Sequence, residues 1–327
     1  MSGRSSLVLG TLALALALCG LLSMGLGAVY IRADDILAAL LGSGDPDYRV
    51  ILLDYRLPRV LIGILVGAAL AVAGVVVQTL LRNGLASPGT LGITAGAGMG
   101  AVLVVLALPA ALAPWISPAA FVGAAAVALA IYGIAYKRGV DPVRLTLVGV
   151  ALGAFCGAGI DLLLVKGDAN LATALVWLAG SLWGRSWAQW GALLPWIALL
   201  LPLVWYLSLR LDVLGLGQPI AKGLGMAVAR LQFLLLCSVI GLAGSSVAAA
   251  GTIGFVGLIC PHMAASLVGR RHHVQLPVAA LLGAIFVVGA DFLGRMIKPP
   301  LELPAGLIIS AIGAPYFIYL MWRASKR

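Results

Sequence analysis

The amino-acid sequence predicts an all-α polytopic membrane protein with ten transmembrane helices. Three observations lead there. The 327 residues are 62% hydrophobic and only 10% charged, against about 45–50% apolar and about 25% charged in soluble chains. Glycine occurs 42 times, as expected where membrane helices pack closely. A window of about 19 residues divides the chain into ten apolar segments, at 7–29, 58–81, 91–109, 115–136, 143–165, 189–209, 230–250, 254–268, 276–294 and 305–322. This composition excludes a soluble enzyme, a disordered chain and a nucleic-acid-binding domain.

Each segment has local reasons for its limits. The first follows Arg4 and is longer than the 7–15 apolar residues typical of a signal peptide, so it reads as a retained span. The second ends where Asn83-Gly84-Leu85-Ala86-Ser87-Pro88-Gly89 forbids a continuing helix and turns the chain at membrane depth. A short amphipathic element around Asn170–Trp183 lies between the fifth and sixth spans. The stretch Leu211–Arg230 is too long for a simple turn, and Pro219 and Gly223 delimit two short helices in it. The eighth segment is short and Gly-rich, the mark of a broken or partial helix lining a cavity. The whole chain, 1–327, reads as one membrane domain.

Charge orients it. With the N-terminus inside, the inner segments hold Arg4, Arg82, Lys137, Arg138, Arg144, Arg210, Lys222, Arg230, Arg270, Arg271, Arg323, Lys326 and Arg327, with Asp141 and Asp212 as their only acids. The net charge is then +11 inside and −1 outside, within a total of +10. The positive-inside rule selects this arrangement, with both termini cytoplasmic.

Small residues four apart (Gly63 and Gly67; Gly92, Gly96 and Gly100; Gly149, Gly153 and Gly157) let helix backbones approach, and tight packing within one subunit is the expected use. Cys19, Cys156, Cys237 and Cys260 have no metal-type spacing and read as small buried apolar residues.

No GxxxxGK[ST] phosphate loop, HExxH motif or catalytic constellation occurs. Asp161 and Asp291 are the nearest candidates for proton or ion ligands in a secondary transporter, and both fall near outer helix ends. Energy for transport is therefore expected from another chain, and no cofactor or metal is expected here. Three clusters remain. Arg56-Leu57-Pro58-Arg59, with Arg295, places arginines on an outer face that disfavours them, as exposed groups able to pair with a partner's carboxylates or with lipid phosphate. Asn83 and Leu85 belong either to an ordinary turn or to a gate that narrows a central path. Leu211–Arg230 protrudes on the cytoplasmic side, where an external motor would act.

Taken together, these residues resemble the FecCD family, the permeases of ATP-binding-cassette importers for ferric siderophores, haem and cobalamin. The resemblance is carried by Arg56–Arg59, Gly67-Ala68-Ala69-Leu70-Ala71 through Gly74 to Gln78, and Asn83–Gly92. Gly254-Phe255-Val256-Gly257-Leu258 with Pro261-His262, Glu302-Leu303-Pro304-Ala305-Gly306 and Gly313-Ala314-Pro315 continue it, in order, over about nine-tenths of the chain. Trp177–Arg185 looks more like the siderophore permeases, the ferric citrate branch among them.

The resemblance implies a type II importer architecture in the bacterial inner membrane. It implies a second permease subunit (the same chain or a paralogue), two ATPase subunits and a periplasmic binding protein that delivers a ferric siderophore, with haem or cobalamin as alternative cargo. Arg56, Arg59 and Arg295 match residues that meet glutamates of the binding protein, and Asn83 and Leu85 match the cytoplasmic gate. Gln218, Pro219, Lys222, Gly223, Leu224, Gly225 and Arg230 match the loop seated on the ATPase. Two positions depart from the pattern: Gly84 stands where a Pro is common, and Ala265 where an Arg is common.

Overall fold

The computed structural model describes residues 3–27, 29–135, 141–166, 170–299 and 301–325. Lys137, Arg138, Lys326 and Arg327, counted among the inner cations, lie outside the described residues. The elements are helices: α1 (Gly3–Gly25), α2 (Ala33–Leu40), α3 (Pro46–Val50), a π-helical segment (Ile51–Arg56), α4 (Leu57–Leu81), α5 (Ile93–Ala107), a short 3₁₀ segment (Ala110–Trp115), α6 (Ile116–Ala135), α7 (Pro142–Lys166), α8 (Leu171–Ala179), α9 (Trp187–Tyr206), α10 (Ser208–Gly215), α11 (Gln218–Gly223), α12 (Val228–Ala250), α13 (Val256–Val268), α14 (His272–Met296) and α15 (Ala305–Ser325).

All ten predicted segments coincide with a helix. Among the described residues, seven stretches are long and apolar enough to cross a membrane: Gly3–Gly25, Pro46–Leu81, Ala111–Ala135, Pro142–Lys166, Trp187–Tyr206, Val228–Ala250 and His272–Met296. The shorter apolar helices Ile93–Ala107, Val256–Val268 and Ala305–Tyr319 fill the remaining positions. Two of the three have a visible cause for their length. Gly92, at φ 73°, delays the start of α5, and irregular backbone through Gly251–Phe255 delays α13.

Two boundaries differ from expectation. The second segment reaches outward to Pro46, because α3 and the π-helical turn run directly into α4; Asp45 starts it by accepting from Asp47 N–H at 2.9 Å. The predicted loop Leu211–Arg230 does hold two short helices, but α12 begins at Val228, so Arg230 belongs to α12. Val228, Leu231 and Leu235 form one buried stripe at helical spacing, which draws the helix start two residues closer to the loop.

The centre of the molecule is α4, buried almost throughout and packed on α14, α12, α13 and α9. Gly67 of α4 and Gly283 of α14 meet backbone to backbone, and a Cβ on either would collide with the other's carbonyl oxygen. Gly74 makes the same kind of approach to Gly257 of α13. The small-residue spacings thus serve contacts inside the subunit, except at Gly157, which has open space around it. On the outside, α1 and α7 present Leu14, Leu18, Leu147 and Phe155, the surface a bilayer requires. Cys156 and Cys260 are buried and Cys19 half-buried, but Cys237 is exposed on α12, contrary to expectation.

Candidate functional site

The three outer arginines converge, each held differently. Arg59 lies in the first turn of α4 and faces α14. Its Nε donates to Asp291 Oδ2 at 2.9 Å, its Nη2 to Asp291 Oδ1 at 2.8 Å, and its Nη1 to Glu302 Oε2 at 2.7 Å. This is the fork geometry that makes guanidinium–carboxylate pairs strong. Asp291 Oδ2 also lies 3.5 Å from Arg295 Nε, one helical turn away.

Arg56 and Arg295 turn toward the end of α1. Arg56 donates to the carbonyls of Met24 and Val29. Arg295 Nη2 donates to the Ser23 carbonyl at 3.1 Å and to its hydroxyl, and Nη1 to the Leu26 carbonyl at 3.4 Å. The expectation of exposed arginines is corrected here: Arg56 and Arg295 are 9% and 8% exposed. The cause is the end of α1 at Gly25. The last carbonyls of a helix have no partner within it, and a guanidinium supplies donors there while opposing the negative end of the helix dipole.

These side chains line an outer cavity of about 390 Å³ together with Asp54, Glu302 and Arg185. Arg185 stands outside the helices, beyond α8. Its loop is pinned by Ser181 N–H donating to the Ala250 carbonyl at 2.8 Å and Gly306 N–H to the Gly180 carbonyl at 2.9 Å. Its Nε donates to the Ser181 carbonyl at 3.4 Å, and among the described residues no carboxylate pairs with it. Burial lowers its pKa. The cavity therefore carries four guanidinium groups against two carboxylates and suits an incoming anion.

Deeper, a second cavity of about 260 Å³ lies between the turn Ser87–Gly89, Thr94 at the head of α5, and the segment Thr252–Phe255. The eighth helix is therefore partial, one continuous run that starts only at Val256, and the backbone leading into it lines a cavity. Phe255, at φ 62°, opens α13 from the left-handed region, uncommon for a bulky side chain and a mark of local strain.

At the inner end, Asn83 Oδ1 accepts from Leu85 N–H at 2.9 Å, so the amide folds back on its own turn while Leu85 is exposed. The neighbouring Arg82 guanidinium rests against Gly217, between α10 and α11. There Gln218 and Pro219 open α11, and Lys222 and Gly223 close it. Leu224 follows, and Gly225 takes φ 78°. Ala221 is buried beneath, whereas Ile220 and Leu224 are exposed. Arg230, on the first turn of α12, is also exposed.

The two candidate acids of a proton-driven carrier sit in different surroundings. Asp161 is exposed on α7, and Asp291 is buried and committed to Arg59. Sequence reasoning missed the ion-pair role of Glu302 and the place of Arg185. Both stood inside motif segments, but neither carries a spacing signal that points to the outer cavity.

Comparison with known proteins adds the following. The FecCD transport family matches residues 15–323. The chain is 44% identical over 318 residues to the Fe(3+)-citrate import system permease protein YfmE of Bacillus subtilis (strain 168), covering 97% of this chain and 95% of that one. It is 41% identical over 313 residues to the Fe(3+) dicitrate transport system permease protein FecD of Escherichia coli (strain K12), covering 95% and 96%. A solved structure described as an inward-facing conformation of a metal-chelate type ABC transporter superposes with a TM-score of 0.87 at 29% identity, covering 97% of this chain and 99% of that one.

Proposed function

The chain belongs to the FecCD transport family, and from that premise we propose that it is the membrane permease subunit of an ATP-binding-cassette importer for a ferric siderophore. The observation that carries the reading is identity of 41–44% over nearly the full length with permeases for ferric citrate. The chain is a multi-pass transport subunit, and ATP with its Mg is bound and hydrolysed by partner subunits. It works beside a second permease subunit, with both termini and the α10–α11 loop on the cytoplasmic side.

In this reading a loaded binding protein docks over Arg56, Arg59 and Arg295. Because Arg59 is already paired, incoming carboxylates compete with Glu302, the more exposed of its two partners. Closure of the ATPase subunits pushes α10–α11 through the exposed Ile220 and Leu224. The helices then rock, and the path past the inner turn, with Asn83 and Leu85 at its gate, opens to one side at a time. The chain performs no bond chemistry; it links two ligands to two conformations.

The test is uptake in a strain lacking its own permeases, supplied with this chain, its ATPase and its binding protein. Accumulation of a ferric siderophore, abolished when the ATPase is inactivated, is the expected result. Uptake of haem or cobalamin in place of every ferric siderophore would overturn the cargo assignment. Transport driven by a proton gradient without the ATPase would overturn the class.

A further inference from the structure

We infer that Thr79, His272 and Asp212 are positioning residues that transmit movement of the α10–α11 loop to the helix pair α4–α14. The inference rests on the permease reading above. His272 is the first residue of α14 and is 8% exposed. Its backbone N–H donates to Asp212 Oδ1 of α10 at 3.0 Å, and its ring Nδ1 lies 2.6 Å from the same oxygen. Its other ring nitrogen, Nε2, lies 2.8 Å from Thr79 Oγ1 in the last turn of α4, and that oxygen lies 2.8 Å from the Val75 carbonyl. One imidazole thus joins the coupling loop, the start of α14 and the end of α4.

Donor counting gives the chain a direction. Thr79 has one hydroxyl proton and faces two candidate acceptors, the Val75 carbonyl and Nε2. With Nδ1–H donating to the Asp212 carboxylate, the Thr79 hydroxyl is shared between the Val75 carbonyl and Nε2, so one proton ties α4 to the ring. A carboxylate that only capped α14 would need no more than the His272 backbone N–H; the ring and the hydroxyl go beyond that. Trp205 of α9 adds a second tie at the same end, donating Nε1–H to the His273 carbonyl at 3.1 Å and stacking on its ring at 5.1 Å.

The same two helices are joined at their outer ends by Arg59 and Asp291 and interlocked midway at Gly67 and Gly283. A close-packed pair fastened at three levels shifts as a body and does not bend locally. A push on α10 therefore reaches the outer arginines, and the imidazole is where the push enters.

The experiment uses the complete importer, with ATPase and binding protein, in proteoliposomes loaded with ATP, with ferric citrate as cargo. Thr79→Val keeps the shape of the side chain and removes the hydroxyl. It is expected to leave assembly and basal ATP hydrolysis within about twofold while lowering cargo moved per ATP by up to about tenfold, the scale of one hydrogen bond. Thr79→Ser restores the hydroxyl and is expected to restore coupling; Asp212→Asn should uncouple in the same direction as Thr79→Val. Wild-type cargo per ATP in an assembled Thr79→Val importer would overturn the inference. Parallel loss of assembly and basal hydrolysis in all variants, without rescue by Ser, would also overturn it and leave a purely structural contact. If the wild-type complex moves no ferric chelate, the permease reading fails, and the fault lies there.

Discussion

Arg59 on α4 and Asp291 on α14 form a two-pronged ion pair, Nε to Oδ2 at 2.9 Å and Nη2 to Oδ1 at 2.8 Å, across 232 positions of sequence. The carboxylate is 4% exposed, so the pair is a buried one, and removing one partner strands the other.

Asp291→Asn should therefore lower stability by about 3–5 kcal/mol, because Arg59 and Arg295 both lose their nearest buried counter-charge. Thermal unfolding of the purified chain in detergent reads this as a fall in Tm. An unchanged Tm would show that the pair adds nothing to the fold.

Glu302→Gln behaves differently. The Glu302 side chain is 29% exposed, and such pairs contribute about 0–1 kcal/mol, so Tm should barely move. Freeing one prong of Arg59 should instead tighten binding-protein docking severalfold. Weaker docking in a direct binding assay would argue that Glu302 itself contacts the binding protein.

Arg185→Gln removes a desolvated cation that has no carboxylate partner among the described residues. Stability should hold or rise slightly, since an unpaired buried charge is costly, while uptake of an anionic ferric chelate falls about tenfold. Radiolabelled iron uptake at matched expression decides the matter, and full uptake would remove Arg185 from the outer site.

Gly283→Val should abolish the folded permease, because the added carbons meet the Gly67 carbonyl. Gly157→Ala, with open space around it, should fold as well as the natural chain. Size-exclusion profiles of the two variants give the contrast, and a well-folded Gly283→Val would show that the α4–α14 crossing is looser than the close approach implies.

Ile220→Asp and Leu224→Asp place charge on the exposed apolar side chains of the coupling loop. Each should reduce co-purification of the ATPase subunits more than about tenfold while sparing the permease fold, in line with the cost of a truncated interface anchor. Retention of the ATPase by both variants would move the contact elsewhere on the inner face.

The helices were legible because a bilayer sets a length and every long apolar run had to meet it. Even the shortness of the eighth helix was readable, since Gly251, Gly254 and Gly257 crowd one short segment. The state of the arginines was not. Nothing near Arg56 or Arg295 in sequence announces that the carbonyls of Ser23, Met24 and Leu26 lie within reach, because those contacts span 32 to 272 positions. Thr79 was invisible for the same reason: a threonine in an apolar helix has no periodicity that names its partner.

The Gly67–Gly283 contact also bears on how the chain is made. The second apolar segment enters the bilayer early in synthesis, but its main packing partner is the ninth. Until α14 emerges, α4 must wait among lipids with its glycine notches unfilled and Arg59 lacking Asp291 at the membrane edge. Assembly of this permease is therefore a late event in translation, and truncation anywhere before α14 should yield an inserted but unassembled chain, open to membrane proteases.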